Sequence, residues 1–264
     1  EQEKDSLMIY AKAPETKYET VNIDLSELPR LTERIITSHF NKGTDEIHIK
    51  FPNSNTFNKI QKAMDFIVGF EIIEQKENSC ILKSISTFSM DDFDKMVRRV
   101  FFMLFDMSDS LLDALKKKEY QRLEKIALLE ETNNKFTNFC KRLLNKNIYK
   151  DQKTTNVMYV IVRDLEKLAD EYKYICQHAK KGKVVDKEVI SLLENTNKYI
   201  RQFSNLLYKG NLKDIQDFVL TRDKLIPQCK LLLKKNKNTV ITHSLMNIIQ
   251  TTFHMVSEIF LLNL

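Results

Sequence analysis

The sequence predicts a mainly α-helical protein, in which a small α/β domain of residues 1–88 precedes two tandem three-helix bundles, residues 89–183 and 184–264. Three observations predict this class. Alternating apolar and polar residues, typical of strands, are concentrated before residue 88. Beyond that point there are only two glycines and one proline. Apolar residues there recur every three or four positions, as they do on one face of a helix.

The first domain is expected to follow the order ββαβαββ, an α+β sheet covered by helices. Ser26 is the candidate N-cap of the first helix, and Gly43 marks its end. A hairpin is expected to turn at Glu77 and Asn78. The predicted strands are 6–13, 18–25 and 45–51, the predicted helices are 25–43 and 53–70, and the hairpin spans 70–85.

The remaining sequence divides into six helical patterns, each longer than the average helix of about 11 residues. Asp151 and Asp186 are candidate N-caps, while Gly182 and Gly210 lie where helices should end. The predicted helices are 89–117, 119–147, 152–181, 186–209, 212–236 and 239–262.

The third and sixth of these helices carry apolar stripes that indicate packing in a bundle. The stripe of the third comprises Val157, Ile161, Leu165, Leu168, Tyr172, Ile175 and Ala179. That of the sixth comprises Leu245, Ile249, Thr252, Val256, Ile259 and Leu262.

Charge is divided unevenly along the chain. Residues 1–88 carry 11 Lys/Arg and 14 Asp/Glu, whereas the remainder carries 31 and 22, a net charge of +9. The lysines are interpreted mainly as a solvated surface, and an anionic partner or peripheral membrane association is the alternative. Four scattered cysteines in apolar patterns indicate reduced core residues of a cytoplasmic protein.

Glu166 and Asp170 are one helical turn apart and therefore project from the same helix face. Glu130, on the predicted neighbouring helix, is expected to be their closest acidic companion. Carboxylates on facing helices hold ions such as iron, manganese or magnesium. Asn134 could add an oxygen ligand and His254 a nitrogen ligand. The pattern therefore makes Glu130, Asn134, Glu166, Asp170 and His254 candidate metal ligands.

The alternative is a solvated helix face, in which Arg163 and Lys167 neutralise the acids. A weak internal repeat bears on the choice. At an offset of 84 residues, Glu166 aligns with Gln250 and Asp170 aligns with His254. Because Gln250 and His254 replace the acid pair in the second half, and Asn134 offers only a neutral oxygen, at most one weak metal site is expected, in the first bundle.

The segment "VRDLEKLADEYKYI" resembles the best-marked helix of the PhoU family of phosphate-uptake regulators, with its E-x-x-x-D motif. "LLEETNNKFTNFCKRLLNK" is similar to the preceding helix in archaeal members, and the α/β segment also resembles theirs. The resemblance implies a non-enzymatic negative regulator of phosphate uptake or signalling. It also implies a homodimer, contacts with a phosphate ABC-transporter ATPase or a sensor protein, and iron- or zinc-type metal clusters.

Two other functions are alternatives: the sensing part of a transcriptional regulator and, ranked last, a di-metal enzyme. In the archaeal group that the chain resembles, an AbrB-type DNA-binding domain often comes first. Because the sequence opens at Glu1 without a Met, the chain could be the sensing or dimerising part of a transcriptional regulator, without direct nucleic-acid contacts of its own. A di-metal carboxylate enzyme would need Glu-x-x-His motifs, which the predicted helices lack.

Overall fold

A four-stranded sheet with two helices precedes a larger helical body in the computed structural model. The structure describes residues 2–3, 6–7, 18–86, 89, 91–146, 149–181 and 184–263. The mainly helical class with a small N-terminal sheet is confirmed. Residues 8–13 of the first predicted strand, and Gly182, lie outside the described residues.

From the second predicted strand onwards the N-terminal elements follow the predicted order, but the described residues before it form two short strands where one was predicted. Two short strands, β1 (Gln2–Glu3) and β2 (Ser6–Leu7), pair with each other. The main sheet has the strand order β3-β4-β6-β5, with β3 parallel to β4 and the other pairs antiparallel. Its elements are β3 (Thr20–Asp24), α1 (Thr32–Lys42), β4 (Glu46–Lys50), α2 (Ser54–Met64), β5 (Phe70–Gln75) and β6 (Ser79–Ser84).

The predicted start of α1 was wrong. Ser26 does not cap the helix, which begins six residues later at Thr32. The Ser26 amide instead donates to Asp24 Oδ1 at 2.9 Å. Pro29 gives the physical reason, because the residue before a proline is disfavoured in the helical region. The predicted end was correct, since Gly43 adopts the left-handed conformation at φ 109°.

The helical body matches the six predicted patterns, two of which are interrupted. α3 is Asp91–Lys117, α6 is Gln152–Ala179, α7 is Lys187–Lys209 and α8 is Leu212–Lys234. A 3-10 turn (Tyr120–Arg122), α4 (Leu123–Ala127) and α5 (Leu129–Lys146) share the second pattern, while α9 (Thr239–His254) and α10 (Val256–Asn263) share the sixth. At each interruption the backbone tightens to an i→i+3 bond, from the Glu131 amide to Leu128 and from the Glu258 amide to Met255.

The long helices of the body pack against one another in several pairs. α3, α5 and α6 contact one another, and so do α7, α8 and α9. α6 also packs on α9, and α3 packs on α7. All the predicted stripe residues of α6 are buried, and one hydrophobic core is continuous through the helical body. The four cysteines are free and buried, as predicted.

One segment of the described chain, Thr239–Leu262, is long and apolar enough to cross a membrane by length and composition. An 18-residue window within it has a mean hydropathy of 1.3. Core helices of soluble proteins pass the same test, and here Leu245, Ile248 and Ile249 belong to the shared core.

The α/β domain is joined to the helical body through α1 and α5. Arg142 of α5 is buried, and its guanidinium lies about 5 Å from the ring centroids of both Phe40 and Phe70. It donates to the Thr44 carbonyl at 2.6 Å and to Asp45 Oδ1 at 2.8 Å. Burial lowers the pKa of Arg142, and the charge of Asp45 opposes that effect. A buried ion pair therefore connects the two parts.

Candidate functional site

The candidate residues lie along the contact between α5 and α6. Asp151 begins α6 as predicted, because its side chain accepts a bond from the Thr154 amide. The apolar stripe of α6 packs in the core with Phe139, Cys140 and Leu143 of α5. The polar candidates occupy the margin of this contact, where long side chains from both helices meet.

Glu130, Asn134 and Asp170 come together around a lysine. Lys173 Nζ lies 2.7 Å from Glu130 Oε1 and 2.7 Å from Asp170 Oδ1. Asn134 Nδ2 also donates to Glu130 Oε1. The Glu130 side chain is only 5% exposed, whereas that of Asp170 is 33% exposed. The expected proximity of Glu130 and Asp170 is thus present, with an ammonium group between them.

Burial and charge have opposite effects on these groups. Burial raises the pKa of Glu130, bonding to Lys173 lowers it, and the Asp170 carboxylate raises it further, with a net upward shift. Burial alone would lower the pKa of Lys173, but its bonds to Asp170 and Glu130 outweigh this and raise it. Lys173 therefore favours the ionised form of Glu130, in opposition to burial and to the Asp170 carboxylate.

Glu166 does not share this cluster. Its carboxylate pairs with the Lys141 ammonium from α5, and the Lys141 side chain is 9% exposed. Glu166 and Asp170 of α6 thus pair with different lysines, Glu166 with Lys141 and Asp170 with Lys173. The structure places Glu166 and Asp170 on the same margin, but it does not direct them to one point.

The predicted counterions were wrong. Arg163 and Lys167 both pair with Asp164, at 3.0 and 2.9 Å. The actual counterions, Lys141 and Lys173, were not anticipated. Lys173 follows Asp170 by three residues, and this helical spacing could have identified it. Lys141 lies on a different helix, so only the register between α5 and α6 shows its role.

His254 lies elsewhere, across the α6–α9 contact. Together with Gln250 and Asp170 it lines a groove of about 400 Å³. Asn247 Nδ2 donates to Glu171 Oε1 at 2.9 Å and crosses between the helices beside this groove. Of the four polar residues aligned by the internal repeat, Asp170, Gln250 and His254 thus line one groove, whereas Glu166 is not among its lining residues. Over the described ranges, no group of three or more His, Cys, Asp or Glu side chains is arranged to hold a metal ion.

A metal ion at the Glu130–Asp170 position would have to displace the Lys173 ammonium, which occupies the point where the two carboxylates converge. Metal binding by Glu130, Asn134, Glu166, Asp170 and His254 therefore remains a prediction.

The metal prediction has a direct test. We expect wild-type protein dialysed against Mn²⁺ to retain at most one weakly bound ion. Lys173→Ala should raise its affinity roughly tenfold or more, because a competing positive charge is removed. Elemental analysis and Mn²⁺ titration measure both quantities. Lys167→Ala, on the same helix, is the matched control, and metal retention unchanged by a Glu166→Ala/Asp170→Ala double variant would contradict this location.

Comparison with protein-family models, curated proteins and solved structures gives no match to this chain.

Proposed function

We propose that this protein is a non-enzymatic regulator of the PhoU type, which reduces phosphate uptake by binding a phosphate ABC-transporter ATPase or its sensor protein. The observation that supports the proposal is the pattern of contacts between the long helices: α3, α5 and α6 contact one another, as do α7, α8 and α9, while α6 packs on α9 and α3 on α7. Long packed helices provide extended surfaces for protein contacts.

We propose that α3–α6 and α7–α10 are two tandem three-helix bundles joined side by side. The continuous core supports rigid coupling of the two halves, and a polar link inside it adds to this. Tyr172 donates to Asn197 Oδ1 at 2.8 Å, and Asn197 Nδ2 donates to the Ser108 carbonyl at 2.9 Å. The link joins α6, α7 and α3.

The surface of α3 offers a contact for such a partner. Phe102 is 62% exposed. The Arg99 guanidinium lies 5.9 Å from the ring centroids of Phe102 and Phe136. Aromatic and arginine side chains contribute most strongly to protein interfaces. We therefore place the docking contact at Arg99, Phe102 and Phe136.

The test is copurification with the transporter ATPase or the sensor protein under high and low phosphate. We expect recovery under high phosphate, and we expect Phe102→Ala to reduce it at least about tenfold, as truncation of an interface anchor does. Leu220→Ala, an exposed apolar residue on α8, is the control and should leave recovery unchanged. Recovery of neither protein under high phosphate would refute the proposal.

We also propose that the protein self-associates and is cytoplasmic. The four-stranded sheet has β3 and β5 at its edges, and exposed edges favour pairing with another chain. We propose a homodimer that forms through one of these edges.

A further inference from the structure

One end of the helical body brings together several helix termini. The C-terminal ends of α3, α6 and α8 lie there with the N-terminal ends of α7 and α9. Lys180 pairs with Glu124 at 2.8 Å, Lys237 with Glu188 at 2.9 Å, and Lys116 Nζ approaches Glu194 at 2.6 Å. We define this basic end as residues 113–125, 180–181, 184–194 and 230–240.

The basic end holds most of the excess charge of the chain. Its ranges contain twelve Lys/Arg and six Asp/Glu, a net charge of +6. The whole chain also has a formal net charge of +6. The rest of the chain is therefore close to neutral, and the field of the protein is concentrated at one end.

Several of these cations are not used by the fold. Lys181, Lys187, Lys230 and Lys234 are exposed, and none of them forms an ion pair with a described residue. Stabilisation of helix C-terminal ends accounts for a cation in the last turn of a helix. It does not account for Lys187, the first residue of α7, where the helix dipole disfavours positive charge.

Exposed aliphatic side chains lie among these lysines. Val184 is 70% exposed, Leu231 52% and Val240 47%. Asn238 links Val184 to Val240. Its side chain donates to the Val184 carbonyl at 3.2 Å, and it immediately precedes α9, of which Val240 is the second residue. Apolar side chains surrounded by lysines are typical of surfaces that lie in the headgroup region of a bilayer.

We propose that the basic end binds an anionic membrane surface. The lysines would contact phospholipid headgroups, while Val184, Leu231 and Val240 enter the interface. Eleven of the twelve cations are lysines, which act as point charges and lack the planar, bidentate geometry of arginine used in nucleic-acid recognition. The exposed aliphatic residues also favour a lipid surface over a polyanion. This inference does not depend on the proposed regulatory function.

The test is cosedimentation of the full chain with vesicles of phosphatidylcholine, with and without about 30% phosphatidylglycerol. We expect binding only to the anionic vesicles. A Lys181→Glu/Lys230→Glu/Lys234→Glu variant should lower the partition coefficient on the order of a hundredfold. A Lys153→Glu/Lys209→Glu/Lys213→Glu variant makes the same charge change at the opposite end of the helices and should retain most of the binding. Circular dichroism checks that both variants remain folded.

Charge and insertion are separated by a second variant. Val184→Ser/Val240→Ser should weaken vesicle binding by roughly tenfold, because the transfer of two aliphatic side chains is lost. It should leave binding to a short DNA duplex unchanged. No binding of the wild type to anionic vesicles, or equal losses in the two lysine variants, would overturn the proposal. So would duplex binding as strong as vesicle binding with no effect of the valine changes.

Discussion

Replacing Arg142 by methionine is expected to lower the free energy of unfolding by about 3–5 kcal/mol, the usual cost of leaving one partner of a buried ion pair uncompensated. The side chains of Arg142 and Asp45 are 4% and 7% exposed. Methionine fills much of the volume between Phe40 and Phe70, but it donates no hydrogen bonds. The Phe40 and Thr44 carbonyls would lose their bonds from the guanidinium, and Asp45 would keep the Lys146 ammonium and the bond from the Glu19 amide.

Urea unfolding followed by circular dichroism measures this loss. Arg163→Met is the matched control, because Arg163 pairs with Asp164 at a side-chain exposure of 48% and should contribute less than about 1 kcal/mol. Adding Asp45→Asn to Arg142→Met should restore part of the stability, since the buried carboxylate that has lost its guanidinium partner is then replaced by a neutral amide. A loss below about 1 kcal/mol for Arg142→Met would show that the ion pair does not hold the α/β domain to α5.

Elements that depend on local sequence could be predicted well. The stripe from Val157 to Ala179 is buried along its whole length, because helical period and apolar spacing coincide. Gly43 and Asp151 perform the terminal roles expected of their residue types. The error at Ser26 arose because a good capping residue was weighed without the proline that follows it.

The charge partners of the site could be predicted only in part. Asp170 and Lys173 share one helix, so their pairing follows from a spacing of three. Lys141 pairs with Glu166 across 25 residues, and Arg142 pairs with Asp45 across 97. Such partners depend on how helices and domains are packed, which apolar periodicity does not specify. Acidic residues were recognised, whereas the cations that determine their chemistry were not.

Replacing Lys173 by methionine is expected to lower the free energy of unfolding by about 2–4 kcal/mol at pH 8, because Glu130 is buried and would lose its main counterion. Asp170 is more exposed and can be solvated, so most of the cost should come from Glu130. Asn134 would still donate to Glu130, which keeps the effect below that of an isolated buried charge.

The loss of stability caused by Lys173→Met should decrease as the pH falls. The pKa of Glu130 in the folded protein already lies above its ordinary value of 4.5, mainly because of burial. Removing Lys173 removes an interaction that lowers this pKa, so the pKa should rise further. A group with a raised folded pKa is fully stabilising below its unfolded pKa, and that stability is lost as the pH rises through the folded pKa. The difference between variant and wild type should therefore be largest above the folded pKa and should shrink as the pH falls towards 4.5.

Urea unfolding of both proteins between pH 4 and 8 follows this difference. Lys167→Met is the matched control, because Lys167 is 55% exposed and pairs with a different acid, Asp164. Its free energy of unfolding should fall by less than about 1 kcal/mol, and this loss should depend little on the charge of Glu130. Adding Glu130→Gln to Lys173→Met should recover most of the stability and remove the pH dependence, since a neutral amide needs no counterion. A loss that is constant with pH, or one that Glu130→Gln does not relieve, would mean that Lys173 stabilises the helices through packing and not through the buried carboxylate.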